Sequence, residues 1–179
     1  FGFTFLDRLP FPATQGQYTC TVTGTTGGVI PALTQFKSDS SSKNPNYIYI
    51  LDVIRTKILP SGIVDTIFAL RDRWGLVDVG IEEIAFQKAL SYAIREDVRF
   101  KARPFHITTL KPNERTKDQR IKGLQPLYEN FRILHNKLIP NNIYLEDELV
   151  RFPNGKHDDI IDALAYAPDI IFPARQKVS

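Results

Sequence analysis

The sequence predicts an α/β fold, a mixed sheet with three antiparallel strands followed by parallel ones and helices on its faces. Three observations carry this. Strand-like runs come first, at Phe1–Leu6, Gln17–Gly24 and Tyr47–Lys57. Helical and strand periods then alternate from Ser61 to Leu110. Helices close the chain, the last one apolar, rich in alanine and acidic at its start.

At 179 residues the chain is long enough for one domain with a full core and too short for two comfortable ones, so residues 1–179 read as a single domain. A hydrophobic share of 42% with 24% charged residues describes a globular chain. No apolar run approaches the ~18 residues of a membrane span, and no signal peptide is present. A single cysteine, Cys20, excludes an internal disulfide and a cysteine-built zinc site. The chain starts at Phe1 and has no Met, as an excised domain of a larger protein would. A net charge of +3 is compatible with a polyanionic partner.

Phe1–Leu6 is aromatic and apolar without a helical period, which predicts a strand leading into Asp7. Gln17–Gly24 alternates β-branched and aromatic residues and reads as a second strand, hairpin-paired with the first. Residues 27–46, rich in Gly, Ser, Thr, Asn and Lys, read as a long exposed loop. Tyr47–Lys57 is the strongest strand. Ile63, Ile67 and Leu70 recur at helical spacing in Ser61–Trp74, and Gly75 stands where a capping glycine belongs. Val77–Ile81 is a short strand ending in Glu82 and Glu83. Phe86–Glu96 is helical, with Phe86, Ala89, Leu90 and Ala93 on one face. Phe105–Leu110 is a strand, Thr116–Tyr128 a charged helix, Phe131–Asn142 an irregular or hairpin piece, and Tyr144–Phe152 a short helix.

The last helix opens with Asp158, Asp159 and Asp162 after the Asn154-Gly155 turn. Acids suit a helix N-terminus, so capping charges on an ordinary terminal helix are one reading. The other is a cation site. Asp7 and Glu82 stand where strands end, and two carboxylates about 4 Å apart repel by roughly 4 kcal/mol at an effective dielectric near 20 unless cations neutralise them. Hard oxygen donors of this kind suit Mg²⁺ or Mn²⁺, and two such ions about 3.5–4 Å apart form a phosphoryl-transfer clamp.

Three stretches resemble the RNase H-like nuclease domain of viral and phage large terminase subunits. They are Gly80-Ile81-Glu82-Glu83-Ile84-Ala85-Phe86-Gln87, Lys117-Asp118-Gln119-Arg120-Ile121 with Leu124-Gln125-Pro126, and Glu148-Leu149-Val150-Arg151-Phe152-Pro153-Asn154-Gly155-Lys156-His157-Asp158-Asp159-Ile160-Ile161-Asp162-Ala163-Leu164-Ala165. In family order they span about Asp7 to Ile171. The resemblance implies an RNase H-like fold and a metal-dependent endonuclease that cuts concatemeric viral double-stranded DNA during packaging, using two Mg²⁺ or Mn²⁺ ions. It makes Asp7 the first-strand acid, Glu82 the middle acid and Asp158/Asp159 the helix acids. It also implies the terminase ATPase domain, the small terminase subunit and the portal protein as partners, in the host cell cytoplasm. The chain departs from the family in having Arg8, Leu9 and Pro10 after Asp7 and Gln17 where an Asp is common. No phosphate-binding Gly-x-x-x-x-Gly-Lys-Ser/Thr occurs, so the packaging ATPase is not in this chain.

Among the acids, alternation after Val79 and Ile81 selects Glu82 over Glu83. Helical periodicity puts Asp158 at the border of the Ile161/Ala165 stripe, whereas the His-x-Asp spacing of the resemblance favours Asp159 as main ligand with Asp158 beside it. Asp162 reads as a structural acid and Asp52 as a polar position on an exposed strand face. His157 is a candidate for protonating a leaving group or contacting metal. His106 and His135 are assigned no role. Lys111, Arg115, Lys117, Arg120 and Lys122 form the most concentrated basic run and predict phosphate contacts, with a solvated helix face as the plain alternative. Arg95, Arg99, Lys101 and Arg103 form a second. Two other functions share these features. One is a DNA-binding or assembly module without a productive site; the other is an RNase H-like enzyme of another kind, such as a junction resolvase.

Overall fold

In the computed structural model the described residues are 4–6, 17–22, 29–36, 47–55, 60–76, 78–82, 87–111, 115–136 and 138–171. The chain is mixed α/β, with seven strands, β1 (Thr4–Leu6), β2 (Gln17–Val22), β3 (Val29–Phe36), β4 (Tyr47–Arg55), β5 (Asp78–Glu82), β6 (His106–Leu110) and β7 (Ile133–Asn136). The helices are α1 (Pro60–Trp74), α2 (Gln87–Glu96), α3 (Val98–Ala102), α4 (Lys117–Lys122), α5 (Gln125–Glu129), α6 (Asn142–Arg151) and α7 (Asp159–Ile171).

The sheet order is β1-β7-β4-β3-β2-β5-β6. Four neighbouring pairs are parallel, and β3 alone runs against its two neighbours. Six strands therefore end on the same edge, where ligands of parallel sheets collect. Leu6, Val22, Arg55, Glu82, Leu110 and Asn136 stand at that edge.

Two expectations are corrected here. β1 is not hairpin-paired with β2; it pairs in parallel with β7, Leu6 opposite Asn136. The segment read as irregular between Phe131 and Asn142 supplies that partner, because β7 bridges β1 and β4. Residues 27–46 are not all loop, since Val29–Phe36 forms β3 between β2 and β4. The place beside β5 thus belongs to β2.

Helices cover both faces. On one, Ile63, Ile67 and Phe68 of α1 and Leu90 and Ile94 of α2 enclose Val79 and Ile81 of β5. Ala89 and Ala93, expected on the buried face of α2, are exposed. Gly75, at φ 72°, caps α1 by donating its N–H to the Arg71 carbonyl at 2.6 Å. On the other face, α4, α5, α6 and α7 pack with Ile48, Ile50 and Val53 of β4 and Ile133 of β7. The charged helix expected over Thr116–Tyr128 is two helices. Thr116 and Gln119 form a capping box at the start of α4, Gly123 ends it, and Pro126 fits the first turn of α5. None of the helices described is long and apolar enough to cross a membrane.

Under α5 and α6 lies a buried polar chain. The Tyr128 hydroxyl is 2.8 Å from His135 Nε2, and His135 Nδ1 is 3.1 Å from Glu146 Oε1. Burial pushes the His135 pKa below its ordinary 6.5, with Glu146 opposing. Below pH 6.5 the unfolded chain binds a proton that the folded chain refuses, so stability falls as pH drops from about 6.5 towards the lower folded value. Thermal melts at pH 7.5 and 5.5 should show this acid-side loss, and His135→Gln should reduce it. An unchanged slope in the variant would contradict the assignment.

Candidate active site

The site is built where β5 ends beneath α7, which crosses β2, β3 and β5. Along β5, Val79 and Ile81 enter the core shared with α1 and α2, so Gly80 and Glu82 face the opposite way. A Cβ at Gly80 would meet the side-chain ends of Ile170 of α7 and Leu110 of β6, which would have to shift. Tyr166 of α7 then reaches Glu82, its hydroxyl donating to Oε1 at 3.0 Å. Glu83 lies outside the described residues.

The head of α7 does not cap itself. Asp158, the residue before the helix, accepts the Asp162 N–H through its carbonyl at 3.0 Å, as an N-cap does. An N-cap carboxylate ordinarily takes the next free N–H groups, but here Glu148 of α6 takes them. Its Oε2 accepts from the N–H of Ile160 at 2.8 Å and of Ile161 at 3.1 Å. Nothing in the local pattern around Glu148 announces this role, because α6 and α7 meet only through the fold. Glu148 is 2% exposed, and burial raises its pKa against the pull of the two N–H groups and of Arg55, 3.8 Å away.

With its capping duty taken over, the Asp158 carboxylate turns to α4, where Lys117 Nζ donates to Oδ1 at 2.7 Å. The same ammonium is 3.8 Å from Asp162 Oδ2, and the Arg120 guanidinium donates to Asp162 Oδ1 at 2.7 Å. Asp162 is buried, and that burial raises its pKa against the pull of Arg120 and Lys117. The carboxylates of Asp158 and Asp162 thus pair with cations of α4, while Asp159 and Asp162 stand in the first turn of α7. Asp159, at the first helical position, and His157 are exposed.

Four cations of the basic run are paired with acids. Arg120 is 6% exposed and held by Asp162; Lys117 sits on Asp158; Arg115 pairs with Asp169 at 2.8 Å; Lys122 pairs with Asp118 at 2.7 Å. Three of the five cations clamp α4 to α7, since the acids of α7 draw them inward. Lys111 is exposed. In the second basic group, Arg99 is held by Asp97 and Asp65. Asp52 pairs with Arg73 of α1 on the far face, as a structural acid would.

Asp7 lies outside the described residues. Its strand, β1, ends beside β7, and four strands separate it from β5. Five interstrand steps at ~4.8 Å make about 24 Å along the sheet, so the end of β1 is not beside Glu82 as expected. Among the described residues no three His, Cys, Asp or Glu side chains converge closely enough to hold a metal ion. Lys117 lies beside two of the carboxylates at the head of α7, Asp158 and Asp162. No protein-family model matches the chain, and no curated protein matches it.

Proposed function

We propose that this chain is a divalent-metal-dependent endonuclease of the RNase H-like kind, cutting double-stranded DNA as the nuclease domain of a viral large terminase subunit does. The observation that carries this reading is the placement of Glu82 under α7. It ends a parallel strand on the side facing α7, is met there by Tyr166, and lies under a helix whose head is capped by Glu148 so that Asp158 is turned outward from its own backbone. The run β4-β3-β2-β5-β6, antiparallel through β3 and parallel from β2 to β6, supports the RNase H-like arrangement.

Glu82 and Asp159, with Asp158 beside it, are the residues that would hold the ions, Mg²⁺ or Mn²⁺. Bound ions would supply an activated water and charge stabilisation at the leaving 3′ oxygen. Tyr166 orients Glu82, Glu148 holds the head of α7, and Lys111 is left at the surface for phosphate contact. In this reading the partners are viral DNA, the terminase ATPase domain, the small terminase subunit and the portal protein, in the host cell cytoplasm.

The second reading is a DNA-binding or assembly module without cleavage. It is favoured by the pairing of Asp158 and Asp162 with Lys117 and Arg120 and by the distance of β1 from β5. Supercoiled plasmid incubated with Mn²⁺ or Mg²⁺ separates the two. Nicking is expected, with Glu82→Gln and Asp159→Asn each losing about 100-fold or more, since one interaction with developing charge is worth several kcal/mol. Salt-sensitive DNA binding without cleavage under either ion would favour the module. A strong preference for branched over linear DNA would indicate a resolvase.

A further inference from the structure

We propose that α6 is an acid-sensitive latch: proton uptake by the buried His135 favours its release from the sheet, and Glu148 then leaves the head of α7 with it. Polar contacts fix the helix along its length. At its start Asn141 Nδ2 donates to the Val53 carbonyl of β4 at 2.8 Å, and Asn142 Nδ2 to the Asn136 carbonyl of β7 at 2.7 Å. In its second turn Glu146 Oε1 lies 3.1 Å from His135 Nδ1. Two residues on, Glu148 Oε2 accepts from the N–H groups of Ile160 and Ile161. One helix therefore carries both the carboxylate that meets His135 and the carboxylate that caps α7.

His135 is fully buried, and both ring nitrogens are engaged, Nδ1 by Glu146 and Nε2 by the Tyr128 hydroxyl at 2.8 Å. Titratable groups thus face the ring from both helices packed on it, Tyr128 from α5 and Glu146 from α6, while its register neighbours in the sheet are Phe5 of β1 and Ile50 of β4. A carboxylate at Nδ1 accepts, so the proton of the neutral ring sits there and Nε2 accepts from Tyr128. A second proton, on Nε2, would reverse the Tyr128 bond and leave a full charge in the core. Burial accordingly holds the His135 pKa below 6.5 against the pull of Glu146. Parting α6 from β7 hydrates the ring and lets it take the proton at its ordinary value. A helix of ten residues is too short to persist alone in water, so α6 depends on these contacts. Its Ile143, Tyr144 and Val150 already face solvent.

One proton bound only by the open form raises the population of that form about 10-fold from pH 7.5 to pH 5.5, for an ordinary value near 6.5. Amide hydrogen exchange of the full chain measures this, as protection corrected for the intrinsic pH dependence of exchange. Ile160 and Ile161 should lose about 10-fold in protection over that interval. Ile94 of α2, in the core on the other face of the sheet, should keep its protection. In His135→Gln, whose amide can still donate and accept but takes up no proton, the loss at Ile160 and Ile161 should disappear. An equal loss at Ile94 would mean that acid unfolds the whole chain and would overturn the latch. Constant protection at Ile160 and Ile161, or the same loss in His135→Gln, would overturn it too. Should His135→Gln not fold, the wild-type comparison of Ile94 with Ile160 and Ile161 still decides between regional and global opening. The measurement needs neither ion nor DNA, so a failure here would leave the nuclease reading untouched.

Discussion

Glu148→Ala should lower the melting temperature by roughly 6–12 °C, from a loss of about 3 kcal/mol in a domain of this size. The carboxylate is buried and accepts two backbone N–H bonds at the head of α7. Hydrogen bonds to a charged acceptor are worth about 1.5–3 kcal/mol each, and truncation leaves both donors buried without a partner. An opposing gain comes from removing a desolvated carboxylate whose Oε1 has no hydrogen bond and only Arg55 nearby, at 3.8 Å. The losses exceed it, because both N–H groups and the positive end of the helix lose their counter-charge together. Glu148→Gln should lose much less, since an amide oxygen still accepts from Ile160 and Ile161. Circular dichroism melts decide the matter, and a shift under about 2 °C in the alanine variant would refute the capping role.

The contrast between Glu148 and Glu82 measures what the sequence can tell. Glu82 was legible because a strand alternates strictly: once Val79 and Ile81 are assigned to the core, the next residue must face the other way. The acids at the start of α7 were legible for a similar local reason, the Gly155 turn before an apolar helical run. Glu148 was not, since its partners lie 12 and 13 residues away across a helix-helix contact. The ion pairs made by the cations at α4 were hidden for the same cause. Their acids are 41, 42 and 54 residues further on, and nothing in the spacing of Lys117, Arg120 and Arg115 announces that α7 will come to meet them. Strand placement failed where the signal was shortest. β1 has three residues, and pairing with β7 rather than β2 depends on a partner the sequence did not present as a strand. β3 was hidden by a polar, glycine-rich surrounding that reads as loop.

Arg120→Met and Asp162→Leu should each cost about 3–5 kcal/mol when made singly, and the double variant should recover most of that loss. The pair is buried, with side chains 5% and 11% exposed and 2.7 Å between donor and acceptor. Breaking such a pair leaves one charge in a poorly solvated place, whereas replacing both removes the desolvation cost along with the attraction. Lys117, 3.8 Å from the other Asp162 oxygen, lessens the loss in Arg120→Met but cannot replace a guanidinium that also contacts Tyr166 and the Arg115 carbonyl. The pH dependence has a definite sign. Burial already raises the Asp162 pKa, and without Arg120 nothing but Lys117 opposes it, so the folded carboxyl binds a proton more readily than the unfolded one. Stability of Arg120→Met should therefore recover as pH falls through that raised value, and its deficit against wild type should be smaller at pH 5 than at pH 7.5. Denaturant titrations of the four proteins at both pH values measure the coupling. Additive single losses, with no recovery in the double variant, would mean that the two side chains stabilise the α4-α7 contact independently.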